Sequence, residues 1–510
     1  MNHALIFSCK LKVGVRGGGA HRIATVLREH GWDVEVIDYA AYWPLELLKE
    51  LVKSRIHKGT VFIGFSTFFN HWTSDLDKFS EWIKQKYPNV KTVIGGQSVA
   101  LTPAKHIEYW VDSFGENAIL ELIKSFSGNA TEPIKYDLSS FGSKKLIKSL
   151  HSYPAYPLKS YKVIMEKRDY LESWEWVGTE FSRGCKFSCD FCNFPILGVK
   201  GDYSRDQEDF EYEMKYNYDN FGITNYLVAD ETFNDRVEKI QKFADVAEKL
   251  EFKPFFSGFI RADLMIAKPE SLDHLKRLNF LGHYYGIESF NHDTAKVVGK
   301  GMHPDKLKEG LLDAKNYFLK DSFYRGTISL IVGLPHETIK TLEETEKWMI
   351  ENWKDQSALV FPLDIDDLEL SANTLSNDSK ISRDYSKYGY RKMDESITKE
   401  RFETFSKPIF EGGYSGWQPG IAIYGNTGLI WENDHMNWFD SRRISDKMNR
   451  SLVINNPLGA WDLAESSLLT RKKLTDLSET NKFITDDIVH IGEKEIRLVV
   501  YNYIRKKLSK

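Results

Sequence analysis

The chain predicts an α/β protein in three parts: a Rossmann-like doubly wound parallel sheet, a partial or full β/α barrel, and a mixed, mainly helical C-terminal region. Three observations carry this. Short apolar runs alternate with helically spaced segments from the start to about residue 125. The same rhythm resumes from 176 to 365, after a connector at 126–175 that is rich in Ser and Lys and broken by Gly128, Pro133, Gly142, Pro154 and Pro157. From 366 to 510, the expected cap or substrate region, the rhythm is lost.

In the first part, strands are expected at 4–8, 33–38, 61–66, 92–94 and 112–114, and helices at 20–30, 76–87 and 118–125. Gly31 is a helix stop. Such βαβ units build a parallel sheet covered on both faces. The second part offers strands at 178–182, 225–229, 255–259, 283–287, 327–332 and 358–363. Six strands in a βα series suit a barrel whose reactive groups sit at the strand C-terminal ends. In the last part the pattern becomes helical, and basic at the end, from about 476.

With 510 residues, the chain exceeds what one compact core holds. A 14% aromatic share argues against extensive disorder. The net charge of −4 gives no sign of a nucleic-acid partner. No apolar run reaches the roughly 18 residues of a membrane span, and the N-terminus turns polar too soon for a secretory signal. The expected compartment is the cytoplasm, with no membrane contact.

Three of the four cysteines, Cys185, Cys189 and Cys192, fall within eight residues, spaced C-x₃-C-x₂-C. A disulfide framework would spread its cysteines along the chain, and a zinc site would pair one C-x₂-C with a second pair or with spaced histidines. Three thiolates on a short loop can ligate three irons of a cubane and leave the fourth open to a ligand. The fourth cysteine, Cys9, reads as a buried strand-end thiol.

This segment, with Phe191 before the last cysteine, resembles the radical S-adenosylmethionine (SAM) superfamily, whose signature is C-x₃-C-x-aromatic-C. The resemblance implies a [4Fe–4S] cluster whose open iron binds SAM. An electron then cleaves SAM to methionine and a 5′-deoxyadenosyl radical that abstracts hydrogen from substrate. Further pieces follow in family order. Asp230 and Glu231 end the second barrel strand, where the family holds the methionine amino group; Arg261 ends the third. Glu288 and Ser289 resemble the family's Gly-Ile-Glu-Ser, near the ribose. Gly333-Leu-Pro335-His-Glu-Thr is similar to Gly-Leu-Pro-Gly-Glu-Thr, near the adenine, with His336 where Gly is usual. The alternative for Asp230 and Glu337 is a helix cap.

Residues 1–125 resemble the cobalamin (B12)-binding domain found ahead of many radical SAM barrels. The matching pieces are Gly64-Phe-Ser66-Thr, Gly95-Gly96-Gln97 and Phe114-Gly115-Glu-Asn117. Small residues there let backbone approach a corrin at a switch point. The Asp-x-His-x-x-Gly loop that supplies a cobalt ligand in some relatives is absent; His21 reads as a surface residue at a helix start. Gly17-Gly18-Gly19 could cradle a phosphate or form a flexible turn.

Too few cysteines remain for an auxiliary cluster. The aromatic and charged residues Trp417, Tyr424, Trp431, Trp438, Arg442 and Arg443, with Glu432, Asp434 and His435, could line a substrate site or form a core. The resemblance therefore implies a cobalamin-dependent methyltransferase acting on an unactivated carbon. Its substrate would be a small molecule or a modified biopolymer, and its electron donor external, such as flavodoxin or ferredoxin. The alternatives are a cobalamin-independent radical SAM enzyme catalysing rearrangement, cyclisation or oxidation, and a non-catalytic Fe–S or SAM-binding protein.

Overall fold

A computed structural model describes residues 1–9, 14–67, 74–96, 106–112, 114–126, 135–137, 145–148, 158–194, 197–366, 379–394, 429–455 and 494–509. Trp417, Tyr424 and Gln97 lie outside them.

Strand β1 (His3–Ser8) explains the first layer. Its side chains alternate: Ala4 and Ile6 pack on one face, Leu5 and Phe7 on the other, and both sets are buried. After β2 (Val15–Arg16) come β3 (Asp33–Ile37), β4 (Thr60–Ser66), β5 (Lys91–Gly96), β6 (Tyr109–Asp112), β7 (Lys135–Asp137) and β8 (Lys145–Lys148). Without β2 they form one sheet in the order β3-β1-β4-β5-β6-β8-β7, parallel except for β7. Helices α1 (Gly18–Glu29) and α4 (Glu116–Phe126) cover one face; α2 (Leu45–Arg55) and α3 (Ser74–Lys86) cover the other. The reversal at β1 makes a doubly wound switch point.

Strands β9 (Trp176–Thr179), β10 (Asn225–Val228), β11 (Phe255–Ile260), β12 (Phe280–Glu288), β13 (Arg325–Val332) and β14 (Ser357–Pro362) follow. They form an all-parallel sheet in chain order. One face packs under helices in the largest apolar cluster. The other carries a smaller cluster of Val15, Trp176, Leu227 and Tyr284.

Several expectations change. The edge strand β2 comes from the first part of the chain and pairs with β9 in parallel, Val15 opposite Trp176. The connector is not featureless: β7 and β8 extend the first sheet, and Tyr161, Val163, Met165 and Leu171 are buried in the barrel core. The first barrel strand ends at Thr179, three residues early, because Phe181 and Ser182 have already turned to bond Asp230.

The C-terminal helix α5 (Lys494–Leu508) packs on the first sheet, not over the barrel. Val499, Val500, Tyr503 and Ile504 join the cluster of Leu5, Phe7, Trp43 and Leu48.

Arg16 fastens this junction. Its Nε and Nη2 reach the two oxygens of Glu175 at 2.9 and 2.8 Å, Nη1 reaches Asp38 at 2.7 Å, and Nη1 and Nη2 also donate to the carbonyls of Asp169 and Tyr170. All five guanidinium N–H groups are thereby used. Its plane lies 5.1 Å from the Tyr39 ring and 4.9 Å from that of Tyr503.

His21 is not a surface residue. It is fully buried, and Nε2 lies 3.0 Å from Asp38. The glycine run is not a loose turn: Gly17 caps α1 and Gly18 and Gly19 open it. A Cβ on Gly18 would lie 3.2 Å from the Gly178 carbonyl, and one on Gly178 would lie 3.0 Å from Gly18 N. Glycine at both positions lets α1 start against β9. Cys9 is buried as expected.

Candidate functional site

The cysteine loop leaves the C-terminal end of β9 and is pinned by the end of β10. Asp230 accepts from Phe181 N at 2.7 Å and from the Ser182 hydroxyl at 2.5 Å. Glu231 accepts from Gly184 N at 2.9 Å, and Thr232 Oγ1 lies 3.2 Å from Cys185 Sγ. Three successive residues thus hold Phe181 to Cys185. Asp230 is 1% exposed and caps no helix. Burial, with Asp230 and Glu180 nearby, pushes the Glu231 carboxyl up to about 8.

Cys185 is buried, and Cys189 and Cys192 are half-buried. Burial pushes the Cys192 thiol up to about 12, and Cys189, Cys185 and Glu288 add to the rise. The three thiols and Glu288 therefore share one neighbourhood. Arg261 Nη1 lies 3.6 Å from Cys189 Sγ, and its plane sits 3.7 Å over the Phe187 ring. Among the described residues, no three His, Cys, Asp or Glu side chains converge as they would on a single metal ion. A cubane takes each thiolate on a different iron, so its sulfurs stand further apart, and three cysteines on one loop fit that demand.

The β12 and β13 ends are bound to each other. Ser289 Oγ donates to Glu337 at 2.6 Å, and Gly333 N donates to the other carboxylate oxygen at 3.1 Å. Burial pushes Glu337 up to about 8 against these donors. Glu337 caps no helix; Thr338 caps Ile339–Asn352. A Cβ on Gly333, at φ +103°, would meet the Trp431 ring at 2.6 Å. His336 takes φ +65°, the left-handed backbone a glycine would take there, and its side chain is exposed. The Pro335 carbonyl accepts from Thr294 at 2.7 Å. Glu288 is also left-handed, at φ +67°, with Lys300 3.4 Å away.

In the C-terminal part the core alternative holds for two residues. Trp431 is buried against Tyr390 and donates to the Leu363 carbonyl, and Trp438 is buried under Arg442. Glu432 and Asp434 pair with exposed Arg391.

At the first sheet, Ser66 stands opposite Gly95. Ser66, Gly95, Gly96 and Gly115 are half-buried at the carboxyl edge of otherwise buried strands. Gly96, at φ +141°, backs onto the Thr67 carbonyl, where any Cβ would collide. These positions carry no side chain longer than serine, which suits a flat ring system at a switch point.

Residues 179–349 match the Radical SAM superfamily, and residues 18–123 match the B12 binding domain. The chain carries a radical SAM domain behind a B12-binding domain. A radical SAM domain implies a [4Fe–4S] cluster and SAM, and a B12-binding domain implies cobalamin.

The anaerobic magnesium-protoporphyrin IX monomethyl ester cyclase of Synechocystis is 26% identical over 250 residues, 45% of this chain and 48% of the cyclase. The chain thus spans about half of that relative. An uncharacterised methyltransferase of Pyrococcus horikoshii is 23% identical over 66% of this chain and 74% of its own length. Two solved structures share the fold. The cobalamin-dependent SAM radical enzyme OxsB, with aqua-cobalamin and SAM bound, has a TM-score of 0.56 at 15% identity, covering 100% of this chain and 71% of its own. The radical SAM methyltransferase TsrM of Kitasatospora setae has a TM-score of 0.58 at 14% identity, covering 77% of this chain and 78% of its own.

The two domains meet at Glu116 and Arg183. Arg183, two residues before Cys185, pairs with Glu116 of the B12-binding domain at 2.8 Å. Arg16 and Arg183 carried no periodic or spacing signal, because each finds its partners far away in sequence. No described helix is long and apolar enough to cross a membrane.

Proposed function

We propose that the chain is a cobalamin-dependent radical SAM methyltransferase acting on an unactivated carbon. The observation that carries this reading is the junction: Glu116, just past the carboxyl end of β6, pairs with Arg183, just past that of β9. The cofactors of the two domains would then face a shared substrate. The names of TsrM, a methyltransferase, and OxsB, a cobalamin-dependent radical enzyme, support the same reading.

In it, Cys185, Cys189 and Cys192 hold the cluster and Arg261 places positive charge beside Cys189. Glu231 fixes Gly184. Ser289, Gly333 and Glu337 hold the adenosine end of SAM in place by bracing β12 against β13. Ser66, Gly95, Gly96 and Gly115 make room for the corrin. His21 is engaged by Asp38 and turned into the junction, so it does not serve as a cobalt ligand. When bound, the cluster supplies the electron that cleaves SAM, and the corrin carries the methyl group.

The reductant would be a low-potential protein such as flavodoxin or ferredoxin. The substrate would be a small molecule or modified biopolymer, and the compartment cytoplasmic. Anaerobic product analysis tests the reading. Methylated product with S-adenosylhomocysteine supports it; 5′-deoxyadenosine alone, from protein that binds no corrin, would replace it with a cobalamin-independent reaction.

A further inference from the structure

The loop from Phe181 to Cys185 is held at every residue. The end of β10 supplies four attachments: Asp230 takes Phe181 and Ser182, Glu231 takes Gly184, and Thr232 meets Cys185. Another comes from the other domain. Arg183 Nη2 donates to Glu116 Oε1 at 2.8 Å, while its Nε bonds Glu180. Arg22 of α1 donates to the same Glu116 oxygen at 3.2 Å and also holds the Ser160 and Lys162 carbonyls.

Aromatic faces complete the seat. The Arg183 guanidinium lies 4.1 Å from the Phe114 ring and 5.6 Å from that of Tyr161. Phe114 and Glu116 flank Gly115, one of the edge glycines assigned to the corrin. Glu116 is 3% exposed and Arg183 6% exposed. Water screens such a pair little, and Glu180 beside Arg183 and Arg22 beside Glu116 extend it into a buried charge network. Burial alone would raise the Glu116 carboxyl, yet Arg183 and Arg22 bring it down to about 2.

We infer that Glu116 and Arg183 are a positioning pair that sets the cluster loop against the ligand edge of the B12-binding domain. Neither residue is placed to touch a reacting atom. The pair acts by fixing the residue two before Cys185 from outside the barrel, so the spacing between the two cofactor sites is built into one buried ion pair. This rests on the function proposed above, but the pair can be tested without it.

The test uses full-length protein with its cluster reconstituted, in wild-type, E116Q, R183K and doubly substituted forms. E116D serves as the conservative rescue. Hydrogen exchange of residues 181–185 should rise about tenfold in E116Q and R183K, the scale of one lost charge-assisted contact. Iron content should stay at the wild-type level, and E116D should recover part of the protection. The double variant should exchange no faster than either single one, because both remove the same interaction. With SAM added, the electron paramagnetic resonance signal of the reduced cluster should broaden in both single variants.

Unchanged exchange and unchanged signal in both would overturn the inference. Additive effects in the double variant would also overturn it, by showing independent roles. Should E116Q fold poorly, R183K, which keeps the charge, carries the same comparison. Hydroxocobalamin titration separates the two claims. Failure of the wild-type protein to bind it would sink the cobalamin reading, while the exchange and spectral results would still decide the pair.

Discussion

The three cysteines were legible because their chemistry is local. Eight residues of one loop hold Cys185, Cys189 and Cys192, so spacing alone marks them as the proposed cluster ligands. Changing any one to Ala should abolish cluster absorbance and SAM cleavage, whereas Cys9→Ala should leave both intact; a cluster that survives Cys192→Ala would refute the assignment. Asp230 and Glu337 were legible as important but not in role. Both looked like caps or ligand contacts, and both brace neighbouring backbone.

Glu337 also yields a pH prediction. Burial pushes its folded carboxyl up to about 8, above the ordinary carboxylate range, so the folded state keeps a proton that the unfolded chain loses. Stability from this group is therefore full below about pH 4.5 and lost as pH rises toward 8. E337Q should flatten that part of the thermal-unfolding profile between pH 5 and 8, and an unchanged slope would contradict the assignment.

Among elements, most of the strands with a full apolar run were visible in the sequence. β2 was not, since two residues carry no period and its strand state depends on β9, far along the chain. The glycines that permit this approach were visible but read as a loop, because the partner of Gly18 is Gly178. G178V should drive α1 off β9 and cost about 1–3 kcal/mol in denaturant unfolding, the usual scale of overpacking; a neutral result would show that the contact is loose.

The C-terminal helix was legible as a helix, though its docking place was not. Its apolar face fits a surface some 450 residues earlier in the chain, such as Arg55, which donates to the Lys507 carbonyl. Deleting 494–510 exposes the seats of Val499, Val500, Tyr503 and Ile504, each buried side chain being worth about 1.5–3 kcal/mol. The first sheet should then unfold ahead of the barrel, seen as lost exchange protection in β1 and β3 with the barrel strands still protected.

For the whole molecule, two alternating patterns mark two successive α/β parts, but their joint leaves no pattern. Two buried arginines make it: Arg16 ties β2, the end of β3, the segment before β9 and the C-terminal helix together, and Arg183 ties the cysteine loop to Glu116. Neither belongs to a repeating pattern, because an ion pair between distant segments leaves no period. R16M would leave Asp38 and Glu175 buried without their cation and should cost about 3–5 kcal/mol in urea unfolding.

The central claim is one chain holding both cofactors at this joint. It is tested most directly by metal and corrin analysis of the anaerobically reconstituted full-length protein, supplied with iron, sulfide and hydroxocobalamin. The expected result is about four irons, as one cubane requires, together with one corrin per chain. A full complement of iron with no corrin, or corrin with no cluster, would contradict it.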